Sequence, residues 1–231
     1  MALDLFTAPL DTVTATDVID FLSRVEVNEE GPRLEYKAAD SRGGIPHDTA
    51  LKVIIAFANT YGGALILGVE ADRTTNRPVR WEGVQLRKGL EETFTAMCSS
   101  SIFPPVIPEV HVYPFKSDPA LPTDDKAFVI VRVAPSLAAP HADKENHFFV
   151  RVNSQCRLAD LPTFTFLLNR QQQHAEMAAR LVKSVRERGA SIRQRFRPEL
   201  DTHLRQRWGP GFPRIYDDTS YSHSPYTLEV K

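Results

Sequence analysis

The chain has 231 residues and a mass of 26.0 kDa, is 42% apolar and 25% charged, and carries a formal net charge of −1. Those values exclude a fibrous or globally disordered chain, and no run approaches the roughly 18 apolar residues that a membrane span requires. Two distant cysteines, Cys98 and Cys156, exclude a disulfide framework and a four-thiolate zinc site.

The N-terminal run MALDLFTAPLDTVTATD has acids, a broken apolar stretch and no basic flank. No cleaved leader is expected, and the expected location is the cytoplasm, with no membrane partner. Residues 14–26 read as an amphipathic helix through Val18, Phe21, Leu22 and Val25, with Thr14 or Thr16 as N-cap. After a break at Asn28–Pro32, residues 33–37 alternate as a half-buried strand, with Leu34 and Tyr36 on one face and Arg33, Glu35 and Lys37 on the other. A turn-rich loop at 41–46 leads to a helix over 47–61, which Gly62-Gly63 stops where positive φ is needed. Residues 64–69 form a buried central strand, and 86–99 another helix through Leu86, Leu90, Phe94 and Met97. Strands are predicted at 110–115, 127–133 and 147–152, separated by loops at 116–126 and 134–146. His141 and His147 read as exposed loop histidines without an acid cluster around them, and both cysteines as packed apolar residues.

From Pro162 the character changes. Residues 164–188 read as a long helix with Leu168, Ala175, Ala178, Leu181, Val182 and Val185 inward. Basic and helical sequence continues to 208, followed by a Gly/Pro/Tyr-rich tail. Residues 1–150 hold 14 Lys and Arg against 21 Asp and Glu, whereas residues 151–214 hold 13 against 5. Such asymmetry suits a polyanion-binding face on the second segment, and equally an ordinary solvated helix. Of the 28 basic residues 20 are Arg, whose planar fork suits phosphate. Three segments are therefore expected: 1–162, a basic helical extension at 163–208, and a tail at 209–231.

No G-x-x-x-x-G-K-[ST] loop is present, and the glycines near 62–68 precede a strand instead of following one, so nucleotide-binding fingerprints are absent. One constellation carries chemistry: Glu30-Gly-Pro-Arg-Leu-Glu35-Tyr-Lys37. The Gly31-Pro32 bend lets the two acids converge, and Lys37 shares the face of Glu35 because strands repeat every two residues. Two carboxylates and an ammonium fit a divalent-cation site acting on phosphodiester. A solvated strand edge with a Glu–Lys pair is the plainer alternative.

These residues, with Ala56-Phe-Ala-Asn-Thr-Tyr-Gly-Gly63, Leu65-Ile-Leu-Gly-Val69, Ile102-Phe-Pro-Pro105, the strand Phe128–Val133 and His147-Phe-Phe-Val-Arg151, resemble the Schlafen-family AlbA-like domain over roughly residues 20–170. The resemblance implies an α/β (α+β) fold, a mixed sheet flanked by helices, and nucleic acid as partner, RNA before DNA. It also implies metal-dependent endoribonuclease activity on structured RNA such as transfer RNA. Carried over, Glu30 and Glu35 match two of three catalytic acids. The third position is Ala71, so Glu70 or Asp72 would have to serve; Glu30, Glu35 and Asp72 would hold Mg²⁺ or Mn²⁺. No zinc is expected, because His111-Val-Tyr113 stands where a His-x-Cys pair belongs. In this reading Lys37 neutralises the scissile phosphate, and Arg151, Arg157, Arg170, Arg180 and Lys183 grip flanking phosphates.

The alternative is a non-catalytic DNA- or RNA-binding regulator or partner-recruiting subunit, favoured by Ala71. A third reading is an interaction protein whose basic helix and tail meet an acidic protein surface. Three further expectations follow. Glu35→Ala abolishes cleavage and leaves the fold intact; Gly62→Val and Gly63→Val destabilise; and the protein is a homodimer joined through the 164–188 helix.

Overall fold

In the computed structural model, residues 3–26, 28–117 and 125–208 are described. They form four helices and nine strands: α1 (Ala15–Leu22), β1 (Leu34–Lys37), α2 (His47–Asn59), β2 (Gly63–Leu67), β3 (Val69–Ala71), β4 (Pro78–Trp81), β5 (Val84–Gln85), α3 (Leu90–Ser101), β6 (Glu109–Pro114), β7 (Lys126–Val133), β8 (Phe149–Val152), β9 (Gln155–Leu158) and α4 (Leu161–Trp208). The fold is mixed α+β, with no helix long and apolar enough to cross a membrane among the described residues. The predicted tail at 209–231, and residues 118–124 of the predicted loop, lie outside the described residues.

The sheet is organised on β7, the longest strand. Along one edge β6 pairs with it antiparallel, from Glu109 opposite Arg132 to Pro114 opposite Ala127. Along the other, β2 pairs with Val129–Val133 and β5 with Lys126–Ala127. β1 then adds parallel to β2, Leu34 opposite Ala64 through Lys37 opposite Leu67, and closes that side of the sheet as an edge strand.

Both faces of this sheet are covered. Ala64 and Ile66 of β2, with Leu34 and Tyr36 of β1, pack under Ala15, Val18, Phe21 and Leu22 of α1 and under Leu5 and Leu10. Leu65 and Leu67, one residue out of phase, pack with Val129, Val131 and Val133 under Ile54, Phe57 and Ala58 of α2 and Phe94 and Cys98 of α3. A period of two thus sends successive residues into two different cores. Such a strand has no wet face, and this fixes the environment of Glu35.

Local chemistry explains the element ends. Thr14 accepts from the Asp17 amide while the Asp17 carboxylate takes the Thr14 amide, a capping box that starts α1. α2 ends at Asn59, and Gly62 (φ +69) turns the chain into β2. Gly68 (φ +90) divides the predicted 64–69 strand into β2 and β3. α3 starts at Leu90 instead of Leu86, because Gly89 adopts the left-handed conformation and the Leu86 amide is bound to the Asp125 carbonyl.

The chain divides into two compact units, residues 1–174 and 175–231, so the boundary falls inside α4 and not at its start. The first turns of α4 belong with the first unit. Phe164 packs on Phe148 with the rings tilted at 59° and their centroids 4.6 Å apart, Leu167 is buried, and Arg170 donates to the Asn59 carbonyl at 2.9 Å. In the second unit every described residue is helical. The predicted inward stripe is corrected there: Leu181 is 65% exposed, with Val182 and Val185 also exposed, because nothing else described in that unit lies over them. Leu168 is exposed too, its neighbour Leu167 taking the buried position.

Candidate functional site

The turn preceding β1 builds the site. The Gly31 amide donates to the Leu34 carbonyl at 3.0 Å, and the Glu30 amide to the Asn76 carbonyl at 2.6 Å. The bend at Gly31-Pro32 thereby folds Glu30 back along β1, where its Oε1 accepts from the Tyr36 amide at 2.8 Å. Glu35 alternates with Leu34 and Tyr36 and so points into the α2-covered face, where it is only 5% exposed. It is paired there with Lys37 Nζ and with the guanidinium of Arg151, which reaches Glu35 Oε2 off the hydrogen-bond axis.

Arg151, on β8, has a side chain with 0% exposure. Its Nε donates to Gly31 O at 3.1 Å. One terminal nitrogen donates to Gly31 O at 2.9 Å and Leu34 O at 3.2 Å, and the other to Cys156 Sγ at 3.3 Å. Its guanidinium carbon lies 5.3 Å from the centre of the Phe57 ring. The expectation that Arg151 grips phosphate on the surface is therefore corrected: it is an internal clamp between β8 and the β1 turn. Lys37 is committed inward as well, donating to the Tyr36 carbonyl at 3.0 Å besides its pairing with Glu35. Two carboxylates thus face two cations, and the formal charges balance. Burial, and next the charge of Glu35, raise the Glu30 carboxyl above its ordinary 4.5 against the opposing pull of the Tyr36 amide, Lys37 and Arg151.

The third acid does not join them. Ala71 lies at a register shift in the β3–β4 ladder and packs against the α1-side core. The carboxylate of Asp72 is turned into its own loop. It accepts from the amides of Thr74 and Thr75 and from the Thr75 hydroxyl, bonds that hold it below its ordinary range. Glu70 is exposed and lines a cavity of about 250 Å³ with Asp40, Arg80, Glu82 and Lys126, which includes neither Glu30 nor Glu35. Mg²⁺ and Mn²⁺ require several free oxygen ligands. Here Glu35 is neutralised from two sides, Glu30 Oε1 accepts a backbone amide, and the ligand atoms of Glu30, Glu35 and Asp72 are not gathered within 4.8 Å of one another, so the three do not form one donor set for a divalent cation. Among the described residues, one group of His, Cys, Asp and Glu brings its ligand atoms within 4.8 Å of one another: Asp143, Glu145 and His147. That corrects the expectation that His147 has no acids around it. The three sit in one loop, where the imidazole Nδ1 lies 3.0 Å from Asp143 and 3.5 Å from Glu145.

His141 is also corrected, being 1% exposed instead of a loop surface residue. Asn59 holds it there: the Asn59 amide group donates to the carbonyls of His141 and Phe149, at 2.9 and 2.8 Å, and accepts from the His141 amide at 2.7 Å. Sequence reading placed Asn59 at a helix end but missed this cross-chain bracket. The ring Nδ1 of His141 lies 2.7 Å from the Pro104 carbonyl, which fixes the proton on Nδ1, and Nε2 has no hydrogen-bond partner. Burial, assisted by the Arg170 charge, lowers its pKa below 6.5 against the opposing Pro104 bond. The unfolded chain therefore binds the proton first, and stability contributed by neutral His141 is lost as pH falls below 6.5. Glu30, with its raised pKa, acts in the opposite sense: its contribution is present at or below 4.5 and lost as pH rises through the folded value. Melting temperatures of the wild type and His141→Asn, compared across this range, are expected to fall with different slopes on acidification, the variant less steeply; parallel profiles would refute this.

The remaining basic candidates are distributed unevenly. Arg157 is exposed on β9 and held by Gln155 at 2.9 Å. Arg170 is half-buried on the Asn59 carbonyl. Arg180 and Lys183 are exposed on α4 in loose i,i+4 pairs with Glu176 and Glu187, at 3.8 and 4.0 Å. Pairs of that kind contribute little to stability and exchange readily.

The chain is similar to the crystal structure of the DIP2311 protein from Corynebacterium diphtheriae, with 21% identity, a TM-score of 0.43, and coverage of 62% of this chain and 29% of that one. It is also similar to the solution structure of the N-terminal domain of a RecG-related protein from Nitrosomonas europaea, with 24% identity, a TM-score of 0.37, and coverage of 65% and 85%. No curated protein matches. A family model described as Schlafen, AlbA_2 matches residues 30–160, more than half of the chain, and the protein belongs to that family.

Proposed function

We propose that this protein is a nucleic-acid-binding module that holds its ligand without cleaving it. Family membership supports the ligand class, and the excess of basic residues over 151–214 supports electrostatic attachment. The observation that carries the non-cleaving half is the burial of Glu35 between Lys37 and Arg151 with Ala71 in the third acidic position. Contact with phosphate falls to the exposed Arg157, Arg180 and Lys183. Structured RNA such as transfer RNA is the preferred ligand, with duplex DNA as the comparison. The second reading, a metal-dependent endoribonuclease, is favoured by the convergence of Glu30 and Glu35.

Labelled transfer RNA and labelled duplex DNA, titrated with protein in chelator and again in Mn²⁺, separate these readings. Binding is expected in chelator, with the labelled strand intact in both conditions. On a duplex, three phosphate contacts would weaken binding about 40-fold between about 50 and 200 mM salt. Arg180→Glu with Lys183→Glu is expected to flatten that salt dependence. Fragments that form in Mn²⁺ and not in chelator would establish the nuclease reading. No binding to either polymer would reject both readings and leave the basic helix as a docking arm for an acidic protein.

A further inference from the structure

The side chain of Arg151 stands where a cation is called for. Three oxygens converge on one of its terminal nitrogens: the carbonyls of Gly31 and Leu34, at 2.9 and 3.2 Å, and the carboxylate Oε2 of Glu35. All three belong to the turn and first residues leading into β1, and the side chain that meets them enters from β8 on the opposite side of the chain order. Glu30 adds a second carboxylate, near enough to feel the charge of Glu35. Two carbonyls and a carboxylate around one point, with a second carboxylate beside them, make an oxygen cage of the kind a hard cation takes. Left empty, the cage would keep two carboxylates against Lys37 alone and leave the Gly31 carbonyl without the guanidinium that meets it, which costs far more than burying a neutral surface.

We infer that Arg151 is the resident counter-ion of the Glu30–Glu35 pair: its guanidinium fills this oxygen cage, locks the β1 turn to β8, and closes the site to divalent cations. The inference rests on the non-cleaving reading of the same site, and it is tested without nucleic acid so that either can fail alone. Phe57 covers one side of the guanidinium at 5.3 Å and Cys156 Sγ receives its remaining terminal nitrogen, so the arginine has a fitted seat and not a chance contact. Lysine in its place would supply a charge but not the planar fork that reaches two carbonyls and a thiol together.

The experiment is thermal melting of the full chain in chelator and in millimolar Mn²⁺, with Arg151→Met keeping the stem and removing the charge. The wild type is expected to melt at the same temperature in both. Arg151→Met is expected to melt about 10 °C lower in chelator, as for a buried pair broken from one side, and to recover part of that loss in Mn²⁺, which then enters the vacated cage. An Arg151→Met protein as stable as the wild type, or one indifferent to Mn²⁺, would overturn the inference. So would a wild type whose melting rises in Mn²⁺ and whose rise is abolished by Glu35→Gln. If Arg151→Met does not fold, Arg151→Met with Glu35→Leu removes both charges and is expected to be soluble and to melt above Glu35→Leu alone. A double variant no more stable than that single one would refute the pairing.

Discussion

Glu35→Ala is expected to cost about 3–5 kcal/mol of folding stability, because it leaves the Arg151 guanidinium buried without its carboxylate. In a chain of this size that corresponds to a fall in melting temperature of about 6–20 °C. The alternating pattern of β1 suggests the reverse, a surface carboxylate removable at little cost. The placement overturns that expectation: Glu35 is 5% exposed and the Arg151 side chain has no exposure at all. Glu35→Gln should lose less, since an amide oxygen still sets a negative dipole beside the guanidinium and only the full charge is gone. Urea denaturation of both variants decides the matter. A Glu35→Ala protein within about 0.5 kcal/mol of the wild type would mean that the pair contributes as a surface ion pair does. Glu35→Ala is also a poor test of catalysis here, because loss of activity would not be separable from loss of fold. The cleaner tests are the intact protein in Mn²⁺ and substitutions on exposed Arg180 and Lys183.

The order of elements was readable because it rests on local signals. Thr14 and Asp17 spell a capping box, Leu51, Ile54, Ile55 and Ala58 repeat at helical spacing, and Gly62-Gly63 marks the stop. β5 and β9 were not readable. Val84–Gln85 is two residues long and takes its conformation from β7, and Gln155–Leu158 pairs only because Asn153 (φ +52) turns the chain back on β8. The convergence of Glu30 with Glu35 followed from the Gly31-Pro32 bend. Its electrostatic partner did not, since nothing near residue 30 announces that Arg151 will arrive from β8. Period two in β1 states that successive residues face opposite ways. It does not state that α2 and α1 cover both faces, and that is the difference between a solvated Glu–Lys pair and a buried cluster. The stripe on α4 failed for the converse reason: helical spacing identifies one face of Leu181, Val182 and Val185 but cannot supply the element that would cover it.

Gly62→Val and Gly63→Val are each expected to remove about 3 kcal/mol or more, enough to lower the yield of soluble protein as well as the melting temperature. The two glycines fail for different reasons. Gly62 has φ +69, a conformation that a β-branched residue adopts only at severe cost, and a Cβ there would lie 2.6 Å from the Val133 carbonyl and 2.7 Å from Cδ of Pro135. Gly63 has no such backbone constraint. Its Cβ would meet the Arg33 carbonyl and the Phe57 ring, each at 2.7 Å. Neither obstacle is free to retreat. Arg33 O accepts from the Ala64 amide at 2.8 Å, Val133 is the Cα partner of Gly63 in the β2–β7 ladder, and the Gly62 amide is bonded to the Phe57 carbonyl at 2.8 Å. Displacing Phe57 would also disturb the seat of Arg151, so Gly63→Val should damage the candidate site along with the core. Gly189 on α4 supplies the control: nothing lies within 4 Å of a Cβ added there, and Gly189→Ala is expected to be neutral or to stabilise by up to about 1 kcal/mol. Circular-dichroism melts of the three variants provide the comparison. If Gly62→Val and Gly63→Val melt with the wild type, the close approach of the α2–β2 turn to β7 and to the β1 entry does not hold.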